Sequence, residues 1–150
     1  MTRAALLLAA LALAAPACGR KNAPVAPELV LPETPGDLSA VATPEGVRLS
    51  WQRPTRYSGG AQMNDLARFV IQRATGIGTV SAAYAEVGKV EVTDQNRFRK
   101  DRRLEWVDTS AKPGERYFYR VIAFTLDGYR SIPAGPVSIA YGPPQTPDTP

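Results

Sequence analysis

Between residues 36 and 142 the chain alternates hydrophobic and polar positions with a period of two. Leu38, Ala40 and Ala42 open the pattern, and Val47, Leu49 and Trp51 continue it more strongly beyond a turn at Glu45-Gly46. Phe69, Ile71 and Arg73 form the next set, Tyr84-Ala85-Glu86-Val87 a short one, and Leu104 with Trp106 another. Tyr117, Tyr119, Val121 and Ala123, followed by Val137, Ile139 and Tyr141, are the clearest. Successive side chains of a β-strand point to opposite faces, so this period predicts strands with one buried face each. Seven such strands, punctuated by glycine and proline, predict an all-β, two-sheet sandwich.

Both ends depart from the pattern. Met1-Thr2-Arg3 gives a short positive start, and Ala and Leu then run unbroken from Ala4 to Ala15. That run is well short of the about 20 apolar residues a membrane span needs, and no polar face interrupts it, so residues 1–17 are expected to be a signal peptide. From residue 18 to residue 35 the chain carries Pro24, Pro27, Pro32 and Pro35 with few large apolar side chains. Such a segment is expected to be an extended tether, reaching about 50 Å at 3.1 Å per residue. The tail, residues 143–150, with Pro143, Pro144, Pro147 and Pro150, is expected to be disordered.

Ala15-Pro16-Ala17-Cys18-Gly19 resembles the lipobox of bacterial lipoproteins, in which a cysteine after small residues is diacylated and becomes the new N-terminus. The resemblance implies a lipid-anchored envelope protein, held to a membrane after export by acyl chains on Cys18. Each buried methylene adds roughly 0.8 kcal/mol to such attachment. The lipobox usually has Leu where Ala15 stands, and Ala15-x-Ala17 is also an ordinary leader cleavage site. Two products therefore stand open: a protein lipidated on Cys18, and a soluble secreted one with a free thiol. The single cysteine lies at the one position where lipidation needs it, and an unpaired thiol is a liability in an oxidising compartment.

Within the alternating region, three stretches resemble the fibronectin type III family, over about Pro35 to Tyr141. Val47-x-Leu49-Ser50-Trp51 with Pro54 is similar to the second strand and its core tryptophan, and Phe69-Val70-Ile71-Gln72-Arg73 to the third strand. Trp106-Val107-Asp108-Thr109, Pro113-Gly114-x-x-Tyr117-x-Tyr119-Arg120-Val121-x-Ala123, Asp127-Gly128 and Ser131-x-Pro133 are similar to the fifth and sixth strands with their loops. The resemblance implies a seven-stranded immunoglobulin-like sandwich over residues 36–142, with Trp51, Tyr117 and Tyr119 as structural core. Pro113-Gly114 suits a sharp turn, and Tyr117 stands where a tyrosine corner places its hydroxyl on upstream backbone. Ala111 replaces the Leu that the family often has before that turn, which implies looser packing at the corner and no change of fold.

Composition narrows the chemistry. There is no histidine and one cysteine, so triads built on a His base, zinc sites rich in His or Cys, and an internal disulfide have no material. The 14 Asp and Glu residues are scattered without a pairing pattern. A non-catalytic protein without metal, cofactor or small-molecule substrate is expected. The formal charge of +4 falls by one unit when Arg3 leaves with the leader. This excess is too small to argue for nucleic acid, which export also removes as a target.

Two loops remain as candidate contact surfaces. Arg53 to Ala67 is long for a connection and contains Arg56, Tyr57, Gly59-Gly60 and Met63, a basic and aromatic mixture that could meet a protein or a sugar. Arg97, Phe98, Arg99, Lys100, Asp101, Arg102 and Arg103 form the most polarised stretch in the chain. It reads as a docking surface for an acidic protein, anionic headgroups or an acidic polysaccharide, or as a solvated edge whose charges block aggregation. No Arg-Gly-Asp triplet occurs. The functional expectation is an envelope lipoprotein whose domain serves as an interaction or scaffold module; a soluble secreted adhesion or carbohydrate-contacting module is the alternative.

Overall fold

A computed structural model describes residues 24–76 and 83–142. The expected signal peptide, Cys18, the start of the tether and the tail from Pro143 lie outside the described residues. Among the described residues there are seven strands: β1 Gly36–Thr43, β2 Gly46–Gln52, β3 Leu66–Thr75, β4 Ala85–Glu91, β5 Arg103–Asp108, β6 Glu115–Thr125 and β7 Ala134–Tyr141. A single helical turn, α1 Asp94–Arg97, lies between β4 and β5. The order β1-β2-β5 makes one sheet and β4-β3-β6-β7 the other, with every pairing antiparallel.

The period-two pattern sorts side chains as expected in β2, β3 and β6; in the edge strand β1 Leu38 and Ala40 are half-buried, but Ala42, near the end of the strand, is exposed. Val47, Leu49 and Trp51 from β2 face Phe69 and Ile71 from β3 and Tyr117, Tyr119, Val121 and Ala123 from β6 across an apolar core. Trp51 meets Phe69 edge to face with centroids 5.5 Å apart, so each sheet contributes one ring to the central contact. The Trp51 indole nitrogen has no hydrogen-bond acceptor among the described residues. Burial of its ring outweighs that cost, since a buried tryptophan contributes more than an unpaired donor takes away.

The corner between β5 and β6 has the geometry its residues imply. The Lys112 N–H donates to the Tyr117 hydroxyl at 2.8 Å, and Gly114 turns the chain at φ +90° while its N–H donates to the Tyr141 carbonyl. At the open side of the sandwich Trp106 of β5 lies against Gly88 of β4. A β-carbon on Gly88 would collide with the indole ring, so only glycine admits this contact between the edges of the two sheets.

Three charged residues continue the inward phase of their strands. Arg73 follows Phe69 and Ile71, Asp108 follows Leu104 and Trp106, and Arg53 follows Val47, Leu49 and Trp51. Arg73 and Asp108 answer each other across the sheets: the guanidinium donates to Asp108 Oδ2 at 2.7 Å, and the carboxylate also accepts from the Tyr119 hydroxyl and from Ser110. Burial resists ionisation of Asp108, but the hydrogen bonds from Ser110, Tyr119 and Arg73 overturn it and hold the carboxyl below its usual range.

The described part of the proline-rich segment, from Pro24 onward, departs from the expected extended tether. Pro27–Val30 forms a 3-10 turn, Pro32 and Pro35 are buried, and the stretch lies against the β2–β3 loop. Ser58 N–H donates to the Leu31 carbonyl, Gly59 N–H to the Leu29 carbonyl, Glu33 N–H to the Arg56 carbonyl and the Ser58 hydroxyl to the Glu28 carbonyl. Proline removes donors from the segment, but its carbonyls remain free to accept, and the loop supplies most of the donors, with Glu33 N–H the segment's own.

Candidate binding surface

One end of the sandwich gathers the N-terminal segment, the β2–β3 loop and the β4–β5 connection. Arg53 N–H donates to the Arg102 carbonyl at 2.8 Å and its guanidinium to the Arg99 carbonyl at 3.1 Å, so the two loops are stitched together at their roots. The opposite end carries the β1–β2 turn, the tyrosine corner and the end of β7, where the Tyr141 hydroxyl donates to the Thr43 carbonyl.

The β2–β3 loop is more ordered than its length suggests. Met63 N–H donates to the Thr55 carbonyl and Tyr57 N–H to the Ala61 carbonyl, folding the loop into a small hairpin. Met63, expected among contact residues, is in the core instead. Tyr57 is half-buried and its hydroxyl donates to Asp65 Oδ1 at 2.5 Å. Burial, with the Asp65 hydrogen bond and charge behind it, pushes the phenol up to about 12. Arg56 is exposed and donates to the Gly60 carbonyl.

The basic stretch divides into anchored and free members. Arg97 turns inward, donating to the Leu66 carbonyl and pairing with Asp94 at 2.8 Å. Arg102 reaches Gln52 and Arg103 reaches Ser50, both bracing β5 against β2. Arg99 and Lys100 are exposed, with no side-chain hydrogen bond or ion pair among the described residues, and Phe98 between them and Arg97 is 71% exposed. A helical turn with Thr93 capping Asn96 N–H presents this group at the tip of the connection.

Beneath it lies a hollow of about 220 Å³ lined by Arg53, Arg97, Arg99, Lys100 and Arg102 together with Thr55, Gln62 and Asn64. Arg53 is 5% exposed, and no carboxylate pairs with it among the described residues. Burial and then the neighbouring Arg102 lower its pKa. Arginine nevertheless stays charged at neutral pH, so the hollow holds a fixed positive potential. The sequence pattern overlooked Arg53, although its place in the inward phase of β2 was the available signal. Among the described residues no group of acidic or cysteine side chains stands close enough to hold a metal ion.

With this geometry in view, solved structures place the chain in a fold class. The kinase region of twitchin from C. elegans superposes with a TM-score of 0.53 at 19% identity, over 75% of this chain and 17% of that one. The third fibronectin III domain of the human KIAA0343 protein gives 0.51 at 10% identity, over 87% and 99%. An Fn3-like protein from Clostridium thermocellum is 20% identical over 75% of this chain and 95% of that one, with a TM-score of 0.48. The chain folds as a fibronectin type III sandwich. Identities this low speak to fold alone, and this chain spans only about a sixth of the twitchin region. No protein-family model and no curated protein matches the chain.

Proposed function

We propose that this protein is a non-catalytic envelope lipoprotein, tethered through Cys18, whose fibronectin type III sandwich is an interaction or scaffold module working through its basic end. The observation that carries the reading is the contrast between the sandwich's inward-phase charges. Asp108 and Arg73 neutralise each other and are tied to Tyr119 and Ser110, whereas Arg53 sits beside further cations at a surface that exposes Arg99, Lys100 and Phe98. Chemistry that is satisfied internally serves stability, and chemistry left without an internal counter-charge is available to a partner. The likeness to fibronectin type III domains supports a binding module without naming what is bound.

The test uses the full chain in its native cells. Cys18→Ser should move the protein from the membrane to the soluble fraction, and unchanged fractionation overturns the tether. A photocrosslinker in place of Arg99 should give adducts that one in place of Lys112, at the opposite end, does not. Equal adduct formation from both positions overturns the basic end as the working surface.

A further inference from the structure

We infer that the basic end is a docking face for an anionic phospholipid bilayer, with a headgroup phosphate seated in the hollow beside Arg53 and the ring of Phe98 entering the headgroup layer. The inference deepens the proposed tethering and rests on it for the reason a bilayer would be close at hand.

Arg53 supplies the first support. It is almost wholly buried, its one side-chain hydrogen bond goes to a backbone carbonyl, and Arg102 stands beside it. A lysine in that position could shed its proton, but a guanidinium cannot, and its remaining N–H groups open onto the hollow, where an external anion can meet both the charge and the donors. A phosphate matches a guanidinium in both charge and fork geometry.

Phe98 supplies the second and selects the source of the phosphate. A soluble anion needs no apolar side chain at the mouth of its site, yet Phe98 stands 71% exposed between the cations Arg97 and Arg99. An exposed aromatic ring beside the exposed cations Arg99 and Lys100 fits the membrane interface, where apolar and anionic layers meet within a few ångströms. The two carboxylates of the connection are otherwise engaged: Asp94 pairs with Arg97, and Asp101 accepts the Arg103 N–H.

Position supplies the third. The N-terminal segment is folded against the β2–β3 loop from Glu28 onward, at the same end as the hollow. Nine residues separate Cys18 from Glu28, a reach of about 33 Å when fully extended. A lipid on Cys18 would therefore hold this end, and not the opposite one, towards the bilayer.

The experiment uses the chain from Gly19 onward, which retains every described strand and carries no lipid. Co-sedimentation compares vesicles of phosphatidylcholine alone with vesicles containing about one third phosphatidylglycerol, at low salt and at about 0.5 M, where charges are screened within a few ångströms. Binding is expected only to the anionic vesicles, at least tenfold weaker at high salt. Phe98→Ala and the pair Arg99→Glu with Lys100→Glu should each lower it at least fivefold with unchanged melting temperature. The reversal Lys112→Glu at the other end should leave it intact. Equal binding to both vesicle types, or indifference to Phe98→Ala, overturns the inference. So does full competition by millimolar inorganic phosphate, which would mark the hollow as a site for a soluble anion. Because this chain lacks Cys18, a failure here is separable from a failure of the tether, which the cell fractionation of Cys18→Ser reads by itself.

Discussion

The Tyr119 hydroxyl donates to Oδ2 of Asp108 at 2.8 Å, joining β6 of one sheet to the last residue of β5 in the other by a buried hydrogen bond. With the Arg73 guanidinium on the same carboxylate oxygen at 2.7 Å, the sandwich contains a polar clasp at the end of its apolar core, its carboxylate buried and its guanidinium partly exposed. Such a clasp stabilises while all members are present and is costly to break singly, because the remaining groups lose both partner and water.

Asp108→Ala should therefore destabilise the protein by about 3 kcal/mol, with Asp108→Asn intermediate because it preserves shape and one acceptor. Urea denaturation at neutral pH measures both. A loss within experimental error for Asp108→Ala would remove the clasp from any account of stability.

Acid should act through the same carboxyl. Its pKa is depressed in the folded chain, so its contribution is fully present above the unfolded value of about 3.9 and fades as pH falls below it. Melting temperature should hold steady from about pH 7 to 5 and drop below about pH 4, with a shallower drop in Asp108→Asn.

Alkali should act through phenols. Burial first and hydrogen bonds to carboxylates second raise Tyr57 to about 12 and Tyr119 well above the ordinary tyrosine range. Groups raised on folding stabilise below their unfolded pKa of about 10 and lose that contribution as pH climbs through the folded value. Ultraviolet titration of the native protein should show both phenols silent near pH 10, and Tyr119→Phe should flatten the alkaline fall in stability.

At the tyrosine corner, Tyr117→Phe strands the Lys112 N–H and should cost about 1 kcal/mol. Truncation of Trp51 to Ala, by contrast, should cost about 3 to 5 kcal/mol through the cavity it leaves. The ratio of the two, read from denaturant midpoints, separates a hydrogen bond from core volume.

Gly88→Ala should cost about 1 to 3 kcal/mol by forcing the Trp106 ring aside. In a double-mutant cycle with Trp106→Leu, which removes the obstructing ring, the cost should shrink. Additive behaviour would mean that the two residues do not meet as described.

The strands and the apolar core were legible because period-two burial leaves its mark in a single segment at a time. Trp51, Tyr117 and Tyr119 sit where the pattern implies, and Pro113-Gly114 turns as its chemistry demands. What escaped notice depends on partners distant along the chain. Asp108 and Arg73 are 35 positions apart, and neither announces the other locally; only their place in the apolar phase hinted at a buried pair. Arg53 gave the same hint. The docking of Pro27 to Pro35 was hidden because proline composition reports the lack of donors and is silent about acceptors. In the basic stretch, charge density was readable, but the division between inward Arg97 and outward Arg99 and Lys100 is decided by the helical turn that Thr93 caps.

The folded-back N-terminal segment and the end of β7 emerge at opposite poles of the sandwich. A tug between Pro27 and Gly142 would run lengthwise through β1 and β7, straining their rows of cross-strand hydrogen bonds sideways and all together instead of peeling them one by one. Pulled from those two points, such a domain gives way only when many bonds fail together.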